Sequence, residues 1–262
     1  MKKRSYAMIP VCALAVFAGW NIYCGYKWGR GPFRELHDIK VSKLKGNAEK
    51  YAPENVRQLE TSPLEGKHIL FLGSSVTYGA ASKGVSFADY IALRDRCRIT
   101  KEAVSGTTLV DTKEDSYISR MKKLDGNMAV DMFVCQLSTN DATRKKPLGN
   151  ISENGEYDTS TVAGAIEFII DYARETWHCP IVFYTNPKYE SSEYAAMVEL
   201  LGEIAKVKDI SVIDLWNDEH FNSITDGQRA LFMADQIHPT QAGYLEWWTP
   251  KMEDRLYDVT RE

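Results

Sequence analysis

A three-layer α/β/α sandwich around a central parallel sheet is the fold class that this 262-residue sequence predicts. Three observations lead there. Short apolar runs alternate with helical stretches along most of the chain, the order that builds βαβ units with helices on both faces of a sheet. The runs His68–Leu72 and Val130–Leu137 are short and lack proline, as buried strands do. Polar signatures fall immediately after the runs, and open parallel sheets place their ligands beyond the strands' C-terminal ends.

The chain begins with Lys2-Lys3-Arg4, followed by 22 residues without a formal charge, Ser5 to Tyr26. That length is close to the roughly 20 residues that cross a bilayer. Trp20, Tyr23 and Tyr26 cluster at its far end, where interfacial aromatics sit, and the basic start keeps the N-terminus cytoplasmic. Residues 1–30 are therefore expected to form one transmembrane helix, a signal-anchor at the cell membrane with the remainder extracytoplasmic. A cleaved signal peptide competes, because Val16-Phe17-Ala18 offers small residues at suitable spacing. Residues 31–66, broken by Pro32, Pro53 and Pro63, read as a juxtamembrane spacer with short helical pieces.

Residues 67–262 carry the alternating pattern. The strand His68–Leu72 leads through a Ser/Gly turn to a helix around Phe87–Arg96, then to a strand over Arg98–Val104. Val130–Leu137 is the next strand, and a polar loop, Arg144–Tyr157, precedes a helix near Thr161–Thr176. Strand Pro180–Tyr184, helix Ser191–Lys206 and strand Ile210–Leu215 follow, with a last helix after Thr240.

Apolar residues make up 44% and charged residues 26%, which places the chain among folded proteins rather than disordered ones. The first thirty residues hold five basic and no acidic side chains, so the remainder carries 27 basic against 36 acidic, near −9. No basic patch marks a nucleic-acid partner. Cys97, Cys135 and Cys179 lack the spacing of a zinc site or a disulfide framework, although a Cys135–Cys179 pair stays open. No His/Asp/Glu cluster suggests a metal and no glycine-rich phosphate loop suggests a nucleotide, so no cofactor is expected.

Two distant stretches carry chemistry. Gly73-Ser74-Ser75-Val76-Thr77-Tyr78-Gly79 sets two hydroxyls at a strand end between glycines. Far along the chain, Asp235 stands three residues before His238, so it can hold one imidazole nitrogen while the other faces a hydroxyl. With Gly106 and Asn140 after the intervening strands, these blocks resemble, in order and type, the SGNH (GDSL) hydrolase superfamily. The likeness covers roughly His68 to the C-terminus. Ser74 stands where that family usually has Asp, and Ser138 where it usually has Gly.

The resemblance implies a flavodoxin-like three-layer fold and a serine esterase, with Ser75 as nucleophile, His238 as base and Asp235 as its carboxylate. Donors for the oxyanion would be the backbone N–H groups of Ser75 and Gly106 and the side-chain amide of Asn140. Trp216, Tyr184 and Tyr189 follow strands and are candidate cleft-lining residues, whereas Trp247 and Trp248 are expected in the core. The expected substrate is a small-molecule or carbohydrate ester, with an O-acyl, for example O-acetyl, group on a carbohydrate. A lysophospholipase or thioesterase is the rival within enzymes, and a non-catalytic glycan-binding module is the rival outside them. Oligomeric state leaves no sequence signal.

Overall fold

A computed structural model describes residues 8–28 and 31–261. Helix α1 (Met8–Trp28) leads through a turn to α2 (Glu35–Ser42) and three single-turn 3-10 helices between Lys45 and Asn55. Next come β1 (His68–Gly73), α3 (Ser75–Tyr78), α4 (Phe87–Asp95), β2 (Arg98–Ala103), α5 (Tyr117–Met121), β3 (Met132–Gln136) and α6 (Thr139–Thr143). Then α7 (Val162–Trp177), β4 (Ile181–Tyr184), α8 (Ser192–Lys208) and β5 (Ser211–Ile213) complete the alternation. Two short helices, α9 (Glu219–Asn222) and α10 (Asp226–Phe232), precede a π-helical segment, Gly243–Trp248, that runs into α11 (Thr249–Val259).

The five strands are all parallel, in the order β2-β1-β3-β4-β5. Side chains alternate across the sheet with the period of two that a pleated strand imposes. Leu70, Leu72, Phe133, Cys135, Ile181 and Phe183 enter the layer built by α5, α7 and α8. Ile69, Phe71, Met132, Val134, Val182 and Tyr184 enter the opposite layer, built by α4, the π-helical segment and α11. Burial on both faces is why these strands read as continuous apolar runs.

Helix ends follow local chemistry. Ser86 and Asp89 form a reciprocal capping box at the start of α4, and Thr161 and Ser191 cap α7 and α8. The same three helices stop at Arg96, His178 and Asp209, each left-handed with φ of 50–54°.

Residues 31–66 do contain short helical pieces, but they also enter the folded body. Val41, Tyr51 and Leu64 are buried, and Tyr51 and Leu64 join the layer beneath α4. Asn47, fully buried, donates to the carbonyls of Val41 and Ala81 at 2.8 Å each and accepts from the N–H of Gln241 at 2.8 Å. A Cβ on Gly46 would lie 2.2 Å from both the Leu231 carbonyl oxygen and the Thr240 hydroxyl, so this stretch lies tight against the loop that carries His238.

Among the described residues, no helix is long and apolar enough to cross a membrane. The expected span, Ser5 to Tyr26, begins outside the described residues. Within its described part, α1 exposes Val16, Phe17, Trp20, Ile22, Tyr23 and Tyr26.

Candidate active site

Strand β1 ends at Gly73, and the chain turns sharply so that Ser75 becomes the first residue of α3. The turn needs glycine: a Cβ at position 73 would sit 1.7 Å from the Thr77 hydroxyl. At the other end Gly79 is left-handed (φ 87°), and a Cβ there would meet the Val85 carbonyl oxygen at 2.3 Å.

Gln136, at the end of the neighbouring β3, braces this turn from below. Its Oε1 accepts from the N–H of Ser74 at 2.9 Å, the hydroxyl of Thr77 at 2.8 Å and the N–H of Thr77 at 3.3 Å. Two backbone N–H donors identify that atom as the oxygen of the amide. Sequence reasoning missed Gln136, because one amide in an apolar strand carries no signal until the fold brings it under residue 74. Gln136→Leu leaves those buried donors without an acceptor, at about 1–3 kcal/mol each. Chemical denaturation is expected to show a stability loss of about 3 kcal/mol or more for this variant.

The partner loop closes between α10 and the π-helical segment. Met233 and Pro239 form an antiparallel bridge, and the N–H of Ala234 donates to the His238 carbonyl at 2.9 Å. Inside this loop Asp235 Oδ1 accepts from the backbone N–H groups of Ile237 and His238, both at 2.8 Å. His238 Nδ1 stands 2.9 Å from Asp235 Oδ2 and 3.0 Å from Oδ1. A carboxylate on Nδ1 assigns the proton there, leaving the lone pair on Nε2. That lone pair faces the Ser75 hydroxyl at 2.8 Å. Burial pushes the Asp235 carboxyl up, but the hydrogen bond and charge of His238, with the two backbone N–H groups, outweigh it and hold the group down at about 2.

Ser74 points elsewhere. It is fully buried, its hydroxyl lies 3.4 Å from Gln136 Oε1, and it accepts from Asn140 Nδ2 at 3.2 Å. Asn140 also donates to the Thr107 carbonyl at 3.0 Å, so its amide sits between the Ser74 turn and the loop after β2. Gly106 in that loop is left-handed (φ 77°), and its carbonyl accepts from Arg144 at 2.6 Å. The N–H groups of Ser75 and Gly106 make no hydrogen bond among the described residues.

Asp141 and Arg120 hold these loops in place. Buried Asp141 accepts from the N–H groups of Leu109 and Val110 at 2.8 and 3.2 Å. Desolvation raises its carboxyl above the ordinary value, although the hydrogen bonds oppose the shift. Arg120 spans two loops, donating to the Gly73 carbonyl at 2.8 Å and the Thr107 hydroxyl at 3.1 Å, with Glu102 at 2.8 Å as its ion partner.

Of the three candidate cleft residues, Tyr184 is placed differently from expectation, whereas Trp216 lines an open pocket of about 320 Å³ with Lys188 and Asn222. Tyr184 is fully buried, packed edge-on against Phe87 at 5.1 Å, with its hydroxyl 2.6 Å from Thr77. It shares the face of Val182, so strand alternation points it inward. Trp216 is 6% exposed and packs with Tyr189 and Tyr194 at 5.4 and 5.2 Å. Neither Trp216 nor Tyr189 is held against Ser75; both belong to an aromatic cluster on the α8 side of the sheet. Trp247 and Trp248 are core residues, Trp247 stacking on Phe221 at 4.5 Å.

Among the described residues, no group of three His, Cys, Asp or Glu side chains could hold a metal ion. No curated protein matches the chain. Solved structures do. A Lactobacillus plantarum protein is 20% identical, covers 74% of this chain and 98% of its own, and superposes with a TM-score of 0.62. A Bacteroides ovatus protein described as GDSL-like lipase is 19% identical over 74% of this chain and 99% of its own, at 0.57. An acetylxylan esterase from Geobacillus stearothermophilus is 15% identical over 76% and 96%, at 0.52. At these identities the likeness shows the fold. The family is shown by the sequence itself: the model of the GDSL-like Lipase/Acylhydrolase family matches residues 71–245, from within β1 to just past the His238 loop, so the chain belongs to that family of SGNH ester hydrolases.

Proposed function

We propose that the protein is a membrane-anchored, extracytoplasmic serine esterase that removes short O-acyl groups, such as O-acetyl, from a carbohydrate. The observation that carries the catalytic part is the row Ser75–His238–Asp235, with 2.8 Å between the Ser75 hydroxyl and His238 Nε2. Ser75 Oγ attacks the ester carbonyl as His238 takes its proton, and Asp235 steadies the imidazolium. The proton then passes to the leaving alcohol, and water releases the acyl group by the same route in reverse. Charge on the carbonyl oxygen is met by the N–H groups of Ser75 and Gly106 and by the Asn140 amide, which turns one of its two N–H bonds to it from Ser74 or Thr107. Each donor is worth on the order of 3 kcal/mol. Asn140→Ala is therefore expected to lower kcat about a hundredfold with a small change in KM, measured by steady-state hydrolysis of a 4-nitrophenyl ester.

For the substrate, an acetylxylan esterase among proteins of this fold supports an acylated sugar. For the anchor, the basic start, the uncharged stretch to Tyr26 and the exposed apolar side chains of α1 support insertion in a bilayer. Labelling with a fluorophosphonate tests the catalytic reading: wild type should be labelled on Ser75 alone. Absence of label, with Ser75→Ala behaving as wild type, would leave a glycan-binding module instead. Acetate release from acetylated oligosaccharides, compared with hydrolysis of 4-nitrophenyl esters of rising length, tests the substrate. Rates that climb steadily to long chains would favour a lysophospholipase or thioesterase.

A further inference from the structure

An open pocket of about 430 Å³ lies between α2 and the two loops that carry Ser75 and Gly106. Tyr78, one turn after Ser75 on α3, lines it, as does Ser105, immediately before Gly106. Gly73 and Ala103 pair at the adjoining ends of β1 and β2, so both loops leave the sheet side by side, and the lining comes within one helical turn of the nucleophile at Tyr78. Its far wall comes from outside the family-matched region: Arg34, His37 and Asp38. His37 fixes that wall, its ring nitrogens standing 3.1 Å from the Ala80 carbonyl and 3.3 Å from the Tyr26 carbonyl.

Among the described residues, the charges lining this pocket are not balanced. Arg34 is exposed, and its guanidinium has no hydrogen-bond or ion-pair partner among the described residues. Lys83 enters from the opposite segment, and among the described residues its ammonium meets only the neutral carbonyl of Asn47, at 3.0 Å. Asp38 is the single lining acid, one helical turn from Arg34 yet outside ion-pair distance of it. Two cations facing one pocket from two segments suit a tetrahedral oxyanion, which can accept from both at once.

We propose that this pocket binds a phosphate carried by the alcohol part of the ester substrate, placing the acyl group over Ser75. The inference rests on the serine esterase reading and narrows its substrate to acyl esters of phosphate-bearing polyols. Both a phosphate-linked glycan and a lipid headgroup supply that chemistry.

The test compares the full-length protein, in detergent, on acetylglycerol 3-phosphate and on its neutral counterpart, glycerol monoacetate. The phosphate ester should have a kcat/KM about tenfold higher or more, an advantage that shrinks as salt screens the pocket. Arg34→Glu should bring the ratio of the two substrates to about one, mainly through KM, while Arg34→Lys keeps most of it. A long-chain acylglycerol 3-phosphate presented in vesicles separates the sources: preference for it over the soluble acetyl ester identifies a lipid, and the reverse identifies a glycan. A wild-type ratio near one, or a ratio that Arg34→Glu and Lys83→Gln leave in place, overturns the phosphate pocket. In that event, fluorophosphonate labelling of Ser75 leaves the esterase reading standing; loss of both hydrolysis and labelling overturns the two together.

Discussion

Ser75→Ala is expected to lower kcat for a short-chain ester by about 10⁵- to 10⁶-fold, leaving only what the oxyanion donors and binding supply. The effect is this large because one atom is both the nucleophile and the donor to His238, at 2.8 Å. Removing that oxygen disturbs little else. The brace under the turn runs through Ser74, Thr77 and Gln136, and among the described residues the Ser75 side chain makes no other hydrogen bond. Thermal unfolding of the variant should therefore track wild type while steady-state hydrolysis falls to background. A variant that keeps a tenth of the wild-type kcat would show that the reacting group lies elsewhere.

Asp235→Asn is expected to cost about 10⁴-fold in kcat, because an amide can face His238 Nδ1 with the wrong group and favour the wrong tautomer. The pH behaviour separates this role from a structural one. With its carboxyl held at about 2, below the ordinary 3.8, Asp235 stays ionised through the working range of an esterase. The group binds its proton less readily in the folded chain than in the unfolded one. Its contribution to stability is thus fully present above pH ~4 and is lost as the pH falls from there toward ~2. Wild type and Asp235→Asn should differ in unfolding midpoint at pH 7, and the difference should close only below pH ~4. A difference that already closes between pH 5 and 6 would assign the carboxylate a different environment.

Much of the architecture is written in local patterns. β1, β3 and β4 read directly as strands because burial on both faces leaves their sequences apolar, and α4, α7 and α8 read as helices because each carries its own cap. Asp235 and His238 could be paired from spacing alone, since one short loop carries both. Contacts between distant segments are what the sequence hides. Gln136 matters through three donors more than fifty residues away. Residues 45–55 fold as isolated single turns, which have no periodicity to read, so the packing of Asn47 against the loops near Ser75 and His238 is visible only in three dimensions. Tyr184 shows the opposite error: its place after a strand suggested a cleft, but the alternation that buries Val182 buries it as well.

The bridge between Met233 and Pro239 makes the acid and base a single unit, with the Asp235–His238 geometry set entirely within it. Assembly of the site therefore reduces to one distance, the approach of that unit to the serine, 2.8 Å here. Displacing it disarms the nucleophile without dismantling the imidazole–carboxylate pair.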